Sequence, residues 1–122
     1  MARVVHFEIA VDDPERAVEF YTKTFGWKIQ KWDGPQEYWL VMTGDEGQPG
    51  INGGIMRRGQ MQQPVVNTVD VPSVDEAIST VVANGGKVVM GKTAVPGAGW
   101  LAYLQDTEGN VFGVMQMDTS AK

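Results

Sequence analysis

Cysteine is absent from the 122-residue chain, and histidine occurs once, as His6. The lack of cysteine excludes disulfides, cysteine nucleophiles and zinc–cysteine clusters. No apolar run approaches the roughly 20 residues that a membrane-spanning helix needs. The first residues also lack the charged-then-apolar pattern of a secretory leader. These absences predict a cytoplasmic protein with no membrane partner and no thiolate chemistry.

Positive charge is also scarce, because 10 basic residues stand against 15 acidic ones and give a net charge of −5. The longest basic run is the pair Arg57–Arg58. An acidic surface repels phosphate backbones, so the composition argues against a nucleic-acid partner. The length suits one domain with its own hydrophobic core, and we expect residues 1–122 to form that single domain.

An internal repeat organises the chain. When the sequence is shifted by 60 positions, Val5 aligns with Val65, and Gly26 aligns with Gly86. Four further pairs agree without a gap: Ile9 with Val69, Val11 with Val71, Ala17 with Ala77, and Val18 with Ile78. The repeat predicts two modules of similar structure, one over about residues 1–60 and the other over about residues 61–122.

Each module begins with a strand and a capped helix. Apolar residues alternate from Val5 to Val11, which is the period of a strand with one buried face. Asp13 precedes a helical pattern as its N-cap, and Gly26 ends it. In the second module Ser73 and Glu76 form a capping box, and Gly85–Gly86 terminate the helix.

Three strand-like runs follow each helix, separated by turn residues. In the first module these runs are Trp27–Trp32, Glu37–Thr43 and Ile51–Arg57. In the second they are Lys87–Met90, Gly99–Gln105 and Asn110–Met117. Each module therefore has the predicted order β-α-β-β-β. The glycine pair Gly53-Gly54 could allow a ligand to approach the backbone, but we expect it to mark a β-bulge.

This order of elements closely resembles the vicinal-oxygen-chelate superfamily, which includes glyoxalases, bleomycin-resistance proteins and extradiol dioxygenases. The phrases FYTKTFGWK (residues 20–28), ANGGKV (83–88) and DTEGNVFGVMQ (106–116) are similar to its recurring motifs. The resemblance implies an α+β fold in which two βαβββ modules form curved mixed sheets around a cavity. It also implies a homodimer.

Metal-dependent members of this superfamily have four ligand positions, one on the first strand and one on the last strand of each module. The resemblance places His6 at the first of these positions. The others fall at Val66 (or Asn67), within Asn52-Gly53-Gly54, and at Gly113, where no strong ligand stands. One imidazole cannot hold a divalent metal tightly, because such sites need three or four donors. We therefore expect no cofactor, and His6 is the only family ligand position that is retained.

The candidate ligand-binding residues start with His6 and Glu8, which lie two positions apart and so on one face of the first strand. Either could act as an acid or a base, or Glu8 could simply orient His6; ordinary solvated side chains are the alternative. Tyr38–Trp39 and Trp100, with Tyr103 nearby, lie on equivalent strands and suit a planar or amphipathic ligand, although half of them would be core or interface. The predicted ligand-binding set is His6, Glu8, Trp39, Met56, Thr68, Trp100, Tyr103 and Met115.

Three functions remain open, the third being a subunit or regulatory module with no ligand of its own. The first is a metal-independent protein that binds a small molecule, aromatic or cationic given the acidic balance. The second is a lyase or dioxygenase that uses zinc, nickel, manganese or ferrous iron with rearranged ligands, His6 and Glu8 being joined by Thr68, Asp70 or Gln116. Whether the protein is an enzyme stays undecided at this point, since fold alone does not define activity.

Overall fold

The structure is a computed structural model that describes residues 2–59 and 63–122. The predicted boundary between the modules, at residues 60 and 61, lies outside the described residues. The chain packs as two compact units. The first unit is His6–Val65, and the second unit is Val66–Lys122 together with the residues up to Val5.

The described residues form eight strands and two helices in the predicted order β-α-β-β-β, repeated twice. The elements are β1 (Arg3–Val11), α1 (Pro14–Phe25), β2 (Lys28–Lys31), β3 (Trp39–Met42), β4 (Gly53–Arg57), β5 (Val65–Asp70), α2 (Val74–Ala83), β6 (Lys87–Val95), β7 (Gly99–Gln105) and β8 (Val111–Met117). The α+β fold class and the two βαβββ modules are thus confirmed.

Both helices begin where their capping residues predict, and α1 also ends at its predicted glycine. The Asp13 side chain accepts a hydrogen bond from the Arg16 backbone N–H at 3.1 Å. Gly26 ends α1 with a φ of 72°, a left-handed conformation that favours glycine. Ser73 caps α2 in the same way by accepting from the Glu76 N–H at 3.1 Å. These side-chain bonds satisfy backbone donors that have no partner inside the helix.

In the first unit four strands form a mixed sheet in the order β2-β3-β4-β1. Strands β2, β3 and β4 pair antiparallel, and β1 pairs parallel with β4. Val11, Val41 and Ile55 form the buried core between this sheet and α1. Burying these aliphatic side chains is the main favourable contribution to the packing of the unit.

The second unit repeats this arrangement with the strand order β6-β7-β8-β5. Strands β6, β7 and β8 pair antiparallel, and β5 pairs parallel with β8. Its core contains Val74, Ala102, Leu104 and Val114, with α2 packed against them. The repeat seen in the sequence is therefore a repeat of strand order and strand direction.

Strand β6 differs from its predicted extent, because it continues from Lys87 to Val95 rather than ending at Met90. Its pairing with β7 shifts register between Val88 and Met90 and again between Met90 and Thr93. Such irregularities interrupt the alternation of side chains on which the prediction depends. Neither helix in the described part of the chain is long and apolar enough to cross a membrane.

Candidate functional site

The sheet of the first unit has one face covered by α1 and one that α1 does not touch, which we call the helix-free face. Ile9 and Val11 pack toward α1. Since side chains alternate along a strand, His6 and Glu8 lie on the helix-free face of β1. The two polar candidates are therefore on the face opposite to the core of this unit.

His6 is held by a hydrogen bond to Tyr38. Its Nε2 atom lies 2.6 Å from the Tyr38 hydroxyl oxygen. Both side chains are half-buried. Tyr38 directly precedes β3, whereas His6 is on β1, so the bond joins two segments that are separated by strand β4.

Gly54 makes this connection possible. It lies on β4 opposite Glu8 of β1 and Leu40 of β3, in the middle of the sheet. A β-carbon at position 54 would overlap the Tyr38 hydroxyl and the ring carbons next to it. The Tyr38 side chain thus occupies the space that a side chain of residue 54 would otherwise fill, and from there its hydroxyl reaches His6.

The glycine pair on β4 is not a β-bulge, so that prediction is wrong. The register runs without a shift from Phe7 opposite Gly53 to Val11 opposite Arg57. A β-carbon on Gly53 would meet the Phe7 carbonyl oxygen at 2.5 Å. Both glycines therefore serve close packing, since neighbouring groups lie directly over the strand.

Trp32 helps to place Tyr38. The Trp32 backbone N–H donates to the Tyr38 carbonyl at 2.8 Å. The two rings meet edge to face, with an interplanar angle of 81° and centroids 6.5 Å apart. The ring contact and the backbone hydrogen bond hold together the two ends of the β2–β3 connection. They therefore help to fix the position of the Tyr38 side chain.

Glu8 adds a carboxylate to the site. Only 6% of this residue is exposed, which is rare for an acidic side chain on a strand. Burial lowers the pKa of His6 below its ordinary value of 6.5, while the charge of Glu8 opposes this and raises it. At neutral pH the imidazole is therefore uncharged and lies beside a negative group.

The predicted residues of the first unit divide between the two faces. Met56 lies opposite Ala10 in the sheet and so shares the helix-free face with His6 and Glu8. Trp39 packs on the other face, against α1 and the core. It is therefore not brought together with His6 and Glu8, and its neighbour Tyr38 takes that position instead.

The second unit shows the same division. Thr68 and Tyr103 both flank Gly113 in the sheet, and Met115 follows two positions along on the same face. Trp100 is on the opposite face, where it packs against the core with α2, and its indole N–H donates to Asp118 at 3.1 Å. The two tryptophans of the predicted set, Trp39 and Trp100, thus lie on the helix-bearing faces of their units.

Sequence reasoning named Tyr38 only as a member of an aromatic pair. The available signal was strand parity: Val41 alternates with Leu40 in β3, so Trp39 shares the face of Val41, and Tyr38 shares that of Leu40. This parity predicts opposite faces for the two aromatic residues. It does not predict which face meets the helix.

The residues present do not fit the metal site that the family resemblance implies. Among residues 2–59 and 63–122, no three His, Cys, Asp or Glu side chains are grouped closely enough to hold a metal ion. Gln116, one of the alternative donors, has its Oε1 atom in a hydrogen bond with the Val74 backbone N–H at 3.0 Å, at the beginning of α2. We therefore derive no chemistry through a metal.

Two surface hollows in the first unit lie away from this site. One, of about 420 Å³, is enclosed by the loop from Thr43 to Asn52. The other, of about 330 Å³, lies between α1 and Trp39. Neither contains His6, Glu8 or Tyr38, and neither brings a buried charge together with a histidine. The chemistry of the side chains favours the His6 site over both.

Comparison with protein families agrees with this fold. The model of the Glyoxalase/Bleomycin resistance protein/Dioxygenase superfamily matches residues 3–114. The chain therefore belongs to this superfamily. No curated protein matches its sequence significantly.

Solved structures show the same fold at low sequence identity. A methylmalonyl-CoA epimerase from Streptomyces coelicolor, bound to 2-nitronate-propionyl-CoA, is 15% identical with a TM-score of 0.72, over 98% of this chain and 97% of that one. A hypothetical protein from Bacillus halodurans C-125 is 18% identical with a TM-score of 0.70, over 99% and 98%. A methylmalonyl-CoA epimerase in complex with methylmalonyl-CoA and ammonium is 15% identical with a TM-score of 0.70, over 100% and 99%.

Proposed function

We propose that this protein binds a small molecule on the helix-free face of its first unit, at His6, Tyr38 and Glu8. The observation that carries the proposal is the 2.6 Å hydrogen bond between His6 and Tyr38 beside the buried Glu8 carboxylate. Burying an imidazole and a carboxylate together costs free energy. Polar groups with perturbed pKa values and partial access to solvent are typical of binding and catalytic sites.

The surroundings of these polar groups suit a ligand with an apolar body. Leu40 and Met42 extend from the same face of the sheet, and 43% and 53% of these residues are exposed. Methionine adapts to ligands of different shapes, and Tyr38 and Trp32 add aromatic edges. An aromatic or branched aliphatic ligand would cover this apolar surface while its polar group reaches His6.

The charge of the site favours a ligand that is neutral or cationic. Glu8 is the acidic group closest in sequence to His6 on this face, and the imidazole is uncharged at neutral pH. An anionic head would be repelled by the carboxylate, and a site of low polarity strengthens that repulsion. Methylmalonyl-CoA, the ligand of one similar structure, is anionic. We therefore propose a ligand of a different charge class for this protein.

A thermal-shift screen tests this proposal. Neutral and cationic aromatic compounds should raise the melting temperature, and their carboxylate analogues should not. Glu8→Gln should reduce the preference for cations over anions by about tenfold or more, because it removes the charge and keeps the shape. Glu46→Gln, on an exposed loop, is the matched control and should leave the preference unchanged. If no compound of either class raises the melting temperature, the proposal is wrong.

Metal reconstitution separates this proposal from the alternative of a metal-dependent lyase or dioxygenase. Protein that has been treated with a chelator and then supplied with zinc, nickel, manganese or ferrous iron should retain far less than one equivalent of metal. Near-stoichiometric binding that is abolished by His6→Ala would replace our proposal with the metal-dependent one.

A further inference from the structure

The hydrogen bond between His6 and Tyr38 joins the edges of two rings that lie almost parallel. The interplanar angle is 16°, and the centroids are 6.3 Å apart. With a bond of 2.6 Å between Nε2 and the hydroxyl, this separation is what two rings in nearly one plane give when they meet edge to edge. The hydroxyl oxygen therefore lies close to the direction in which the Nε2 lone pair or N–H points.

The phenol is the stronger donor of the two groups. A tyrosine hydroxyl has a pKa of about 10, whereas a neutral imidazole N–H gives up its proton far less readily. The unprotonated imidazole nitrogen is in turn a better acceptor than a phenolic oxygen. The favoured arrangement thus has the Tyr38 hydroxyl donating to Nε2 of His6, which leaves the imidazole proton on Nδ1.

The second imidazole nitrogen is available to a ligand. In the part of the chain that the structure describes, Tyr38 is the one hydrogen-bond partner of the His6 side chain. No side-chain nitrogen or oxygen atom among these residues is both fully buried and without a partner. Nδ1 of His6 is therefore in contact with solvent, at the site where we place the ligand.

We infer that Tyr38 is a positioning residue that fixes His6 as the Nδ1–H tautomer, and that this N–H recognises a neutral carbonyl oxygen on the ligand. The first part concerns the chain alone. The second part rests on the proposed function and names the polar group of its ligand. A carbonyl oxygen accepts one N–H without bringing a negative charge near Glu8, which a carboxylate would do. An amine, which offers only donors when it is protonated, could not accept the Nδ1 proton.

Because His6 is the only histidine, protein labelled with nitrogen-15 in histidine gives one imidazole signal pair. At pH 8 its nitrogen shifts and two-bond couplings should show the proton on Nδ1. Tyr38→Phe removes only the hydroxyl and should move the population toward the Nε2–H form, which unconstrained histidine prefers. Tyr21→Phe, on the helix-bearing side, is the control and should leave the pattern unchanged. An Nε2–H tautomer in the unmodified protein, or a pattern that Tyr38→Phe does not alter, would overturn the positioning role.

The carbonyl part is tested on the same sample with 4-phenylbutan-2-one, a neutral aryl ketone, and with butylbenzene, which has no acceptor. The ketone should raise the melting temperature and shift the Nδ1 resonance, and butylbenzene should leave the resonance in place. If the ketone binds without moving this resonance, or fails to bind while other compounds of the screen bind, the carbonyl assignment is wrong and the proposed function stands. If no compound binds, the proposed function fails as well, whereas the tautomer measurement still decides the role of Tyr38.

Discussion

The helix-free faces of the two units have the same framework and different chemistry. In the first unit Glu8, Gly54 and Leu40 lie side by side across three strands. In the second unit Thr68, Gly113 and Tyr103 occupy the corresponding places in β5, β8 and β7. Each of these rows of three residues contains a glycine, which lies on the last strand of its unit. The repeat therefore preserves the glycine and changes the side chains around it.

What fills the space above each glycine distinguishes the units. Above Gly54 the Tyr38 hydroxyl lies so close that a β-carbon would overlap it, and from there it bonds to His6. Above Gly113 the nearest group, the Thr68 hydroxyl, would be 3.2 Å from a β-carbon. The position matching His6 by the 60-residue shift is Val66, which is buried and cannot titrate. One copy of a duplicated scaffold can thus carry a polar site while the other has an apolar residue at the same position.

We expect the stability of the protein to depend equally on the hydrophobic cores of the two units. Ile55 in the first unit and Leu104 in the second are both fully buried. Replacing either by alanine should lower the free energy of unfolding by about 2–5 kcal/mol, because each change removes buried apolar surface and leaves a cavity. Urea unfolding measures both values. A loss below about 1 kcal/mol for one variant alone would show that the units are not equivalent in packing.

The two glycines should respond differently to alanine. Gly54→Ala requires Tyr38 to move, so we expect a loss of about 1–3 kcal/mol and of the bond to His6. Gly113→Ala needs a shift of only a few tenths of an ångström at Thr68, and a smaller unfolded-state entropy offsets that strain. Its net effect should stay within about 1 kcal/mol. Similar losses of stability in both variants would contradict the difference in packing above Gly54 and Gly113.

The smallest expected effect is on the pH dependence of stability. Burial lowers the pKa of His6 in the folded protein below 6.5, so the unfolded chain binds its proton more readily. The free energy of unfolding should therefore rise with pH up to about 6.5 through this group and stay level above it. His6→Val copies the residue of the second unit and should remove that increment. Urea unfolding of the two proteins from pH 5 to 8 measures this increment. If both show the same pH dependence of the free energy of unfolding, the pKa of His6 is not lowered in the folded protein.

Most of the fold could be predicted because its signals are local. Caps at Asp13 and Ser73 and the stop at Gly26 depend on groups only a few residues apart, so the sequence displays them directly. Strand β7 has the predicted bounds, Gly99–Gln105. The continuation of β6 past Met90 was missed because its register shifts depend on pairing with a neighbouring strand rather than on its own pattern.

The site was predicted only in part. His6 and Glu8 could be placed on one face because two-residue spacing determines this in any strand. Trp39 was chosen over Tyr38 since nothing local shows which face a helix will cover. The role of Gly54 was missed for a related reason: the hydroxyl above it belongs to the residue just before β3, and only the pairing of β3 with β4 brings the two together.

The repeat, the order of the elements and the family follow from the amino-acid sequence alone, because periodicity, caps and motifs are properties of neighbouring residues. Only the folded protein shows which aromatic residues face the helices, why β4 carries two glycines, and that Tyr38 is the partner of His6. These features depend on contacts between residues far apart in the chain, such as the 32 positions that separate His6 from Tyr38. Such contacts are set by strand register and by the face on which each helix packs, and neither is encoded within a single segment.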